Sequence, residues 1–85
     1  MKKIILDGGQ LCDRGTAHTY LQEMLELPEY YGKNLDALYD CLTELQDLYI
    51  EIKQPIEAND YFGRVLRVFK GAEIESDSLT VRLTE

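Results

Sequence analysis

Asn34-Leu35-Asp36-Ala37-Leu38-Tyr39-Asp40-Cys41-Leu42-Thr43-Glu44-Leu45, followed two residues later by Leu48-Tyr49-Ile50-Glu51-Ile52, carries the two periodicities from which the architecture follows. Asn34 is a good N-cap, because its side-chain oxygen can take an amide that a first helical turn leaves unpaired. The helix predicted from Leu35 to about Leu45 has one apolar stripe. At about 100° per residue, with Asp36 set to zero, Leu45, Leu38, Leu42 and Leu35 fall between about 180° and about 260°. Leu48 to Ile52 then reads as a strand that ends near Pro55.

Upstream, Ile4-Ile5-Leu6 stops at Asp7-Gly8-Gly9, which reads as a strand buried on both faces and then a turn. Ala17, Tyr20, Leu21, Met24 and Leu25 repeat at helical spacing, with Asp13 or Thr16 as N-cap and Pro28 just beyond the end. Pro28 to Lys33 connects this helix to the next. Downstream, Phe62, Val65, Leu66 and Phe69 mark a third helix, with Asn59 as a possible N-cap and Gly71 near its end. Leu79-Thr80-Val81-Arg82-Leu83 alternates as a half-exposed edge strand does. Strands separated by helices call for crossover connections. The predicted class is α/β, a small three-stranded parallel sheet with helices packed around it. The first strand, the most continuously apolar, is expected in the middle.

A chain of 85 residues and 9.8 kDa is expected to be a single domain over residues 1–85. Its 45% hydrophobic and 29% charged residues are a globular composition, which argues against disorder. No apolar run approaches the roughly 20 residues that span a bilayer. The run after Lys2 and Lys3 is too short for a signal-peptide core, so a cytoplasmic location is expected. Cys12 and Cys41 form neither a disulfide framework nor a metal-spaced pair and are expected as reduced thiols. Nine basic against sixteen acidic residues give a net charge of −7, which disfavours direct nucleic-acid binding. The excess is local: Tyr20 to Glu51 holds eight acids and one base, Lys33, while the remainder balances. A concentrated field of one sign steers a partner of the other.

That field centres on the second helix. Asp36, Asp40 and Glu44 fall within about 80° of one another, joined by Asp47 if the helix runs that far. Like charges at i,i+4 cost an isolated helix roughly 0.2–0.5 kcal/mol per pair, and no lysine is interspersed to offset them. Only Asp36 sits near enough to the N-terminus to gain from the helix dipole. The stripe is either a solubilising face or one built to be neutralised from outside the chain. Tyrosines border it. Tyr30 and Tyr31 precede the helix, Gly32 lies in the loop that enters it, and Tyr39 falls at about 300° on the wheel. Tyrosine is enriched in the energetic centres of interfaces, although Tyr31 also suits the core.

Catalysis finds little support. Asp36 and Asp40 have no histidine or third ligand at motif spacing. His18, the one histidine, stands beside the apolar face of the first helix as a packed or capping residue would. Cys41, at about 140°, belongs to the core margin. The expectation is no catalytic residue, no metal and no cofactor.

The segment from Leu27 to Thr43, Leu27-Pro28-Glu29-Tyr30-Tyr31-Gly32-Lys33-Asn34-Leu35-Asp36-Ala37-Leu38-Tyr39-Asp40-Cys41-Leu42-Thr43, resembles the signature of the barstar family of ribonuclease inhibitors. Met1-Lys2-Lys3, Val65-Leu66-Arg67-Val68-Phe69 and the closing strand around Leu79 to Leu83 resemble the same family; the stretch from about Tyr49 to Gly63 is shorter and divergent. The resemblance implies an intracellular, non-catalytic inhibitor that plugs the active site of a small, basic, secreted ribonuclease with its acidic helix and preceding loop. It implies that Asp40 takes the place of a substrate phosphate, that Asp36 meets basic residues at the rim, and that Tyr30 packs on the catalytic histidine. Asn34, Leu35 and Thr43 match further contact positions. The family has tryptophan at the positions of Tyr39 and Leu45, glycine at Glu44, and a contacting glutamate at Gly71, with Glu73 a possible substitute. A monomer is expected. The alternatives are an immunity or interaction module of this fold that binds a different basic toxin or enzyme, and, more remotely, a carboxylate-based hydrolase.

Overall fold

The computed structural model describes residues 2–85, so Met1 of the opening Met1-Lys2-Lys3 lies outside the described residues. The elements run β1 (Lys2–Asp7), a 3-10 turn (Gly8–Leu11), α1 (Arg14–Met24), α2 (Leu35–Glu44), β2 (Leu48–Lys53), α3 (Asp60–Glu75) and β3 (Leu79–Thr84). The strands form one parallel sheet in the order β1-β2-β3, with Ile4, Ile50 and Val81 side by side. The α/β class and the three-stranded sheet are as the sequence predicts.

The order within the sheet is not. β2 is central and β1 is an edge strand, and β1 is buried on one face only: Ile4 and Leu6 point into the core while Ile5 is 46% exposed. The reason is topological. Both crossovers step one strand in the same direction, so the second strand in the chain takes the middle and the helices all fall on one side. Strand residues of one parity (Ile4, Leu6, Leu48, Ile50, Ile52, Leu79 and Val81) share a core with Leu11, Leu21, Leu38, Leu42, Phe62, Val65 and Phe69. The other parity faces outward.

Each helix begins on a side-chain cap that accepts an orphan amide. Asp13 takes the Thr16 N–H at 3.0 Å, Asn34 the Ala37 N–H at 2.8 Å and Asn59 the Phe62 N–H at 3.0 Å. α1 closes in a Schellman turn, with the Leu27 N–H bonded to the Gln22 carbonyl at 3.0 Å and Glu26 held at φ 53°. α2 stops at Glu44, and Asp47 lies beyond it at φ 53°. Asp47 is therefore not part of the acidic stripe. Gly8 is fixed by close approach, since a Cβ there would fall on the Lys53 carbonyl and within 2.8 Å of Pro55 Cδ.

Two side chains of α3 engage the backbone of Val81 on the outer edge of β3. Val81 N–H donates to Glu73 Oε2 at 2.7 Å, and Lys70 Nζ donates to the Val81 carbonyl at 3.3 Å. These bonds satisfy two of the groups that could otherwise pair with another strand. They also engage Glu73 with the sheet, and its other oxygen pairs with Lys70 at 3.8 Å. Gly71 lies inside α3 without a positive φ, and it does not terminate the helix.

Candidate partner-binding site

α2 separates its faces as its sequence requires. Leu38 and Leu42 are fully buried, Leu35, Ala37 and Cys41 are half-buried, and Asp36, Asp40 and Glu44 stand exposed along the outside. The ion pairs among the described residues are Lys2–Glu26, Lys3–Glu51, Arg64–Asp60 and Lys70–Glu73. None takes a carboxylate from α2. Three negative charges thus line one helix face, none of them in an ion pair among the described residues.

The loop before α2 divides its two tyrosines. Tyr30 is 86% exposed and stands clear of the surface, whereas Tyr31 is only 5% exposed. Tyr31 is therefore turned mostly inward. Its hydroxyl meets His18 Nδ1 at 2.5 Å, and His18 Nε2 meets the Tyr61 hydroxyl at 2.6 Å. A neutral imidazole donates from one nitrogen and accepts at the other, so both tyrosines are satisfied by one ring. This bridge ties α1, the loop and α3 together beneath the candidate face. Burial, with the nearby Arg14 charge adding to it, holds the His18 pKa below its usual value. Burial likewise pushes the Tyr31 and Tyr61 hydroxyls up, and with Glu44 and Asp40 nearby it raises the Cys41 thiol. Cys41 is thus a poor nucleophile.

Five of the expected residues, Tyr30, Tyr31, Gly32, Asp40 and Glu44, line one shallow depression between the loop and α2, with Ala37 and Cys41 completing its wall. Gly32 leaves this floor open: a Cβ there would lie 3.2 Å from Asn34 Nδ2 and 3.4 Å from Ala37 Cβ. Asn34, Leu35 and Asp36 line a second depression at the N-terminus of α2, together with Arg14, Tyr61 and Arg64. Tyr39 leans on α3, where a Cβ on Gly71 would stand 3.6 Å from its ring. Thr43 turns its hydroxyl back to the Asp40 carbonyl at 2.9 Å. The arginines were not visible in the sequence as neighbours of α2, because only the packing of α1 and α3 brings them there.

No group of three or more His, Cys, Asp or Glu side chains among the described residues is placed to hold a metal. Among the same residues, no helix is long and apolar enough to cross a membrane. Fold and face together define a class, a small α/β binding protein that offers a preformed acidic helix.

The family model described as Barstar (barnase inhibitor) matches residues 1–77, and the chain belongs to the barstar family. It is 50% identical over 81 residues to the Bacillus subtilis (strain 168) protein named "Putative ribonuclease inhibitor YrdF", covering 88% of this chain and 89% of that protein. The family is one of inhibitors, and the chain is an inhibitor-type protein, not an enzyme.

Proposed function

We propose that the chain inhibits a small, basic, secreted ribonuclease of the barnase type by seating α2 and the Tyr30–Asn34 loop in its active site. The observation that carries this reading is the row of Asp36, Asp40 and Glu44, exposed and unpaired beside an 86% exposed Tyr30. An active site that stabilises a phosphate is basic. A rigid carboxylate can pair with it through charge-assisted hydrogen bonds while offering no bond to cleave. Asp40, in the middle of the row, takes the phosphate's place, Asp36 and Glu44 meet basic groups on either side, and the Tyr30 ring packs on the catalytic histidine. Gly32, Asn34, Leu35, Tyr39 and Thr43 complete the contact, and Tyr31 holds Tyr30 from below.

The inhibitor works in the cytoplasm as a monomer and protects the cell that makes the enzyme. Titration of barnase activity against the chain tests this. Loss of activity at one equivalent, with binding of the chain weakened by a saturating active-site mononucleotide, is the expected result. The same face could serve a different basic enzyme, and one feature favours that second reading: Glu44 brings a further carboxylate to the floor of the depression beside Asp40. Unchanged barnase activity, with tight binding of the chain to another basic enzyme, would select it.

A further inference from the structure

Three of the chain's four arginines converge at the N-terminus of α2, although Arg14 belongs to α1 and Arg64 and Arg67 to α3. Arg14 and Arg64 line the depression that holds Asn34, Leu35 and Asp36, and Arg64 and Arg67 line the adjoining one over Leu35. Leu35 is the shared floor. We propose that Arg14, Arg64 and Arg67 form a second, basic contact on this face, which takes a carboxylate side chain of the same ribonuclease that the acidic helix holds. This rests on the proposed inhibitory docking.

The arginines are largely unspent within the fold. Arg64 is bonded to Asp60 at 3.0 Å in an exposed pair, Arg67 Nε reaches only the Gly63 carbonyl of its own helix at 3.3 Å, and Arg14 is in none of the ion pairs among the described residues. Arg14 also stands at the first position of α1, behind the Asp13 cap, where the positive end of the helix disfavours a cation.

The occupant follows from charge and geometry. Guanidinium forks suit a planar carboxylate, and a half-buried apolar floor strengthens the pairing by excluding water. Asp36 and Asp60 stand in the same two depressions, which would repel a chain of phosphates. A single carboxylate brought in by a protein already seated on the acidic row meets less of that repulsion. The face is then two-signed, with an acidic row ending in a basic corner. An enzyme that carries an acid beside its basic cleft docks in one orientation, and one that carries a base there is rejected.

The test uses the full chain and barnase. Titration calorimetry compares the unchanged chain, the double variant Arg14→Gln/Arg67→Gln, and Asp40→Ala, with thermal midpoints to check that each is folded. Barnase variants with single surface carboxylates changed to amides then complete double-mutant cycles. The double variant is expected to raise Kd roughly three- to tenfold, the scale of exposed ion pairs, with the midpoint unmoved. One barnase carboxylate should lose its contribution when the arginines are gone. A Kd within about twofold of the original, while Asp40→Ala still weakens binding, would overturn the inference and leave the docking intact. No effect of Asp40→Ala would overturn both. If a short fluorescent RNA binds the unchanged chain at about 0.05 M salt and is released by the double variant, the corner is a nucleic-acid contact and the inference is wrong.

Discussion

His18 makes stability depend on pH just below neutrality. The ring is 1% exposed, and both nitrogens are engaged by tyrosine hydroxyls, at 2.5 Å to Tyr31 and 2.6 Å to Tyr61. Burial, followed by the Arg14 charge, lowers its folded pKa below the usual value near 6.5. The unfolded chain therefore binds a proton that the folded chain refuses. The contribution is fully present above about pH 6.5 and is lost as pH falls from there through the folded pKa. The slope is at most about 1.4 kcal/mol per pH unit. Asp13, also lowered, by its bonds to Thr16, titrates below its ordinary pKa of 3.8 and does not confuse the window. Urea unfolding between about pH 8 and about pH 5 should show the loss in the unchanged chain and none in His18→Gln. At about pH 8 the variant should itself be less stable by about 1–3 kcal/mol, the cost of leaving the buried Tyr31 hydroxyl with a poorer partner. Parallel curves for the two chains would refute the reasoning, because they would show that His18 titrates alike folded and unfolded.

Glu26 holds a left-handed φ of 53° at the end of α1, where its charge also faces the negative end of the helix. Glu26→Gly should raise stability by about 1 kcal/mol, read as a higher urea midpoint at unchanged slope. Gly8→Ala should do the reverse, because the added carbon meets backbone at Lys53 and the ring of Pro55. A loss at the upper end of about 1–3 kcal/mol is expected by the same measurement. Association with barnase should slow steeply as the Debye length shrinks from about 10 Å at 0.1 M salt to about 3 Å at 1 M, with dissociation nearly constant, in stopped-flow fluorescence.

Much of the architecture was legible in local signals. Asn34 and Asn59 are the caps predicted, Asp13 is the chosen cap of the two offered for α1, and β2 and β3 begin where Leu48 and Leu79 resume alternation. Strand order was not, because Ile4-Ile5-Leu6 looks the same on an edge as in a centre. Only the handedness of two successive crossovers puts Ile5 in solvent. Asp47 would join the acidic stripe only in a longer helix, and it belongs instead to the chain's exit from α2, which ends at Glu44. Of the two tyrosines, sequence could not say which would turn inward. The His18 ring decides it, by offering a buried partner to Tyr31. The arginine corner is wholly tertiary.

In the proposed complex the carboxylates of α2 take the place of a phosphate in a ribonuclease active site, with Asp40 foremost. Calorimetric titration of barnase with the unchanged chain, Asp40→Ala, Asp36→Ala and Glu44→Ala tests it most directly. Removing one member of a desolvated charge pair costs about 2–5 kcal/mol, or about 30-fold to several thousandfold in Kd. Asp40→Ala should show a loss in that range and the largest of the three. An Asp40→Ala effect smaller than that of Glu44→Ala, or an unchanged Kd, would contradict the account.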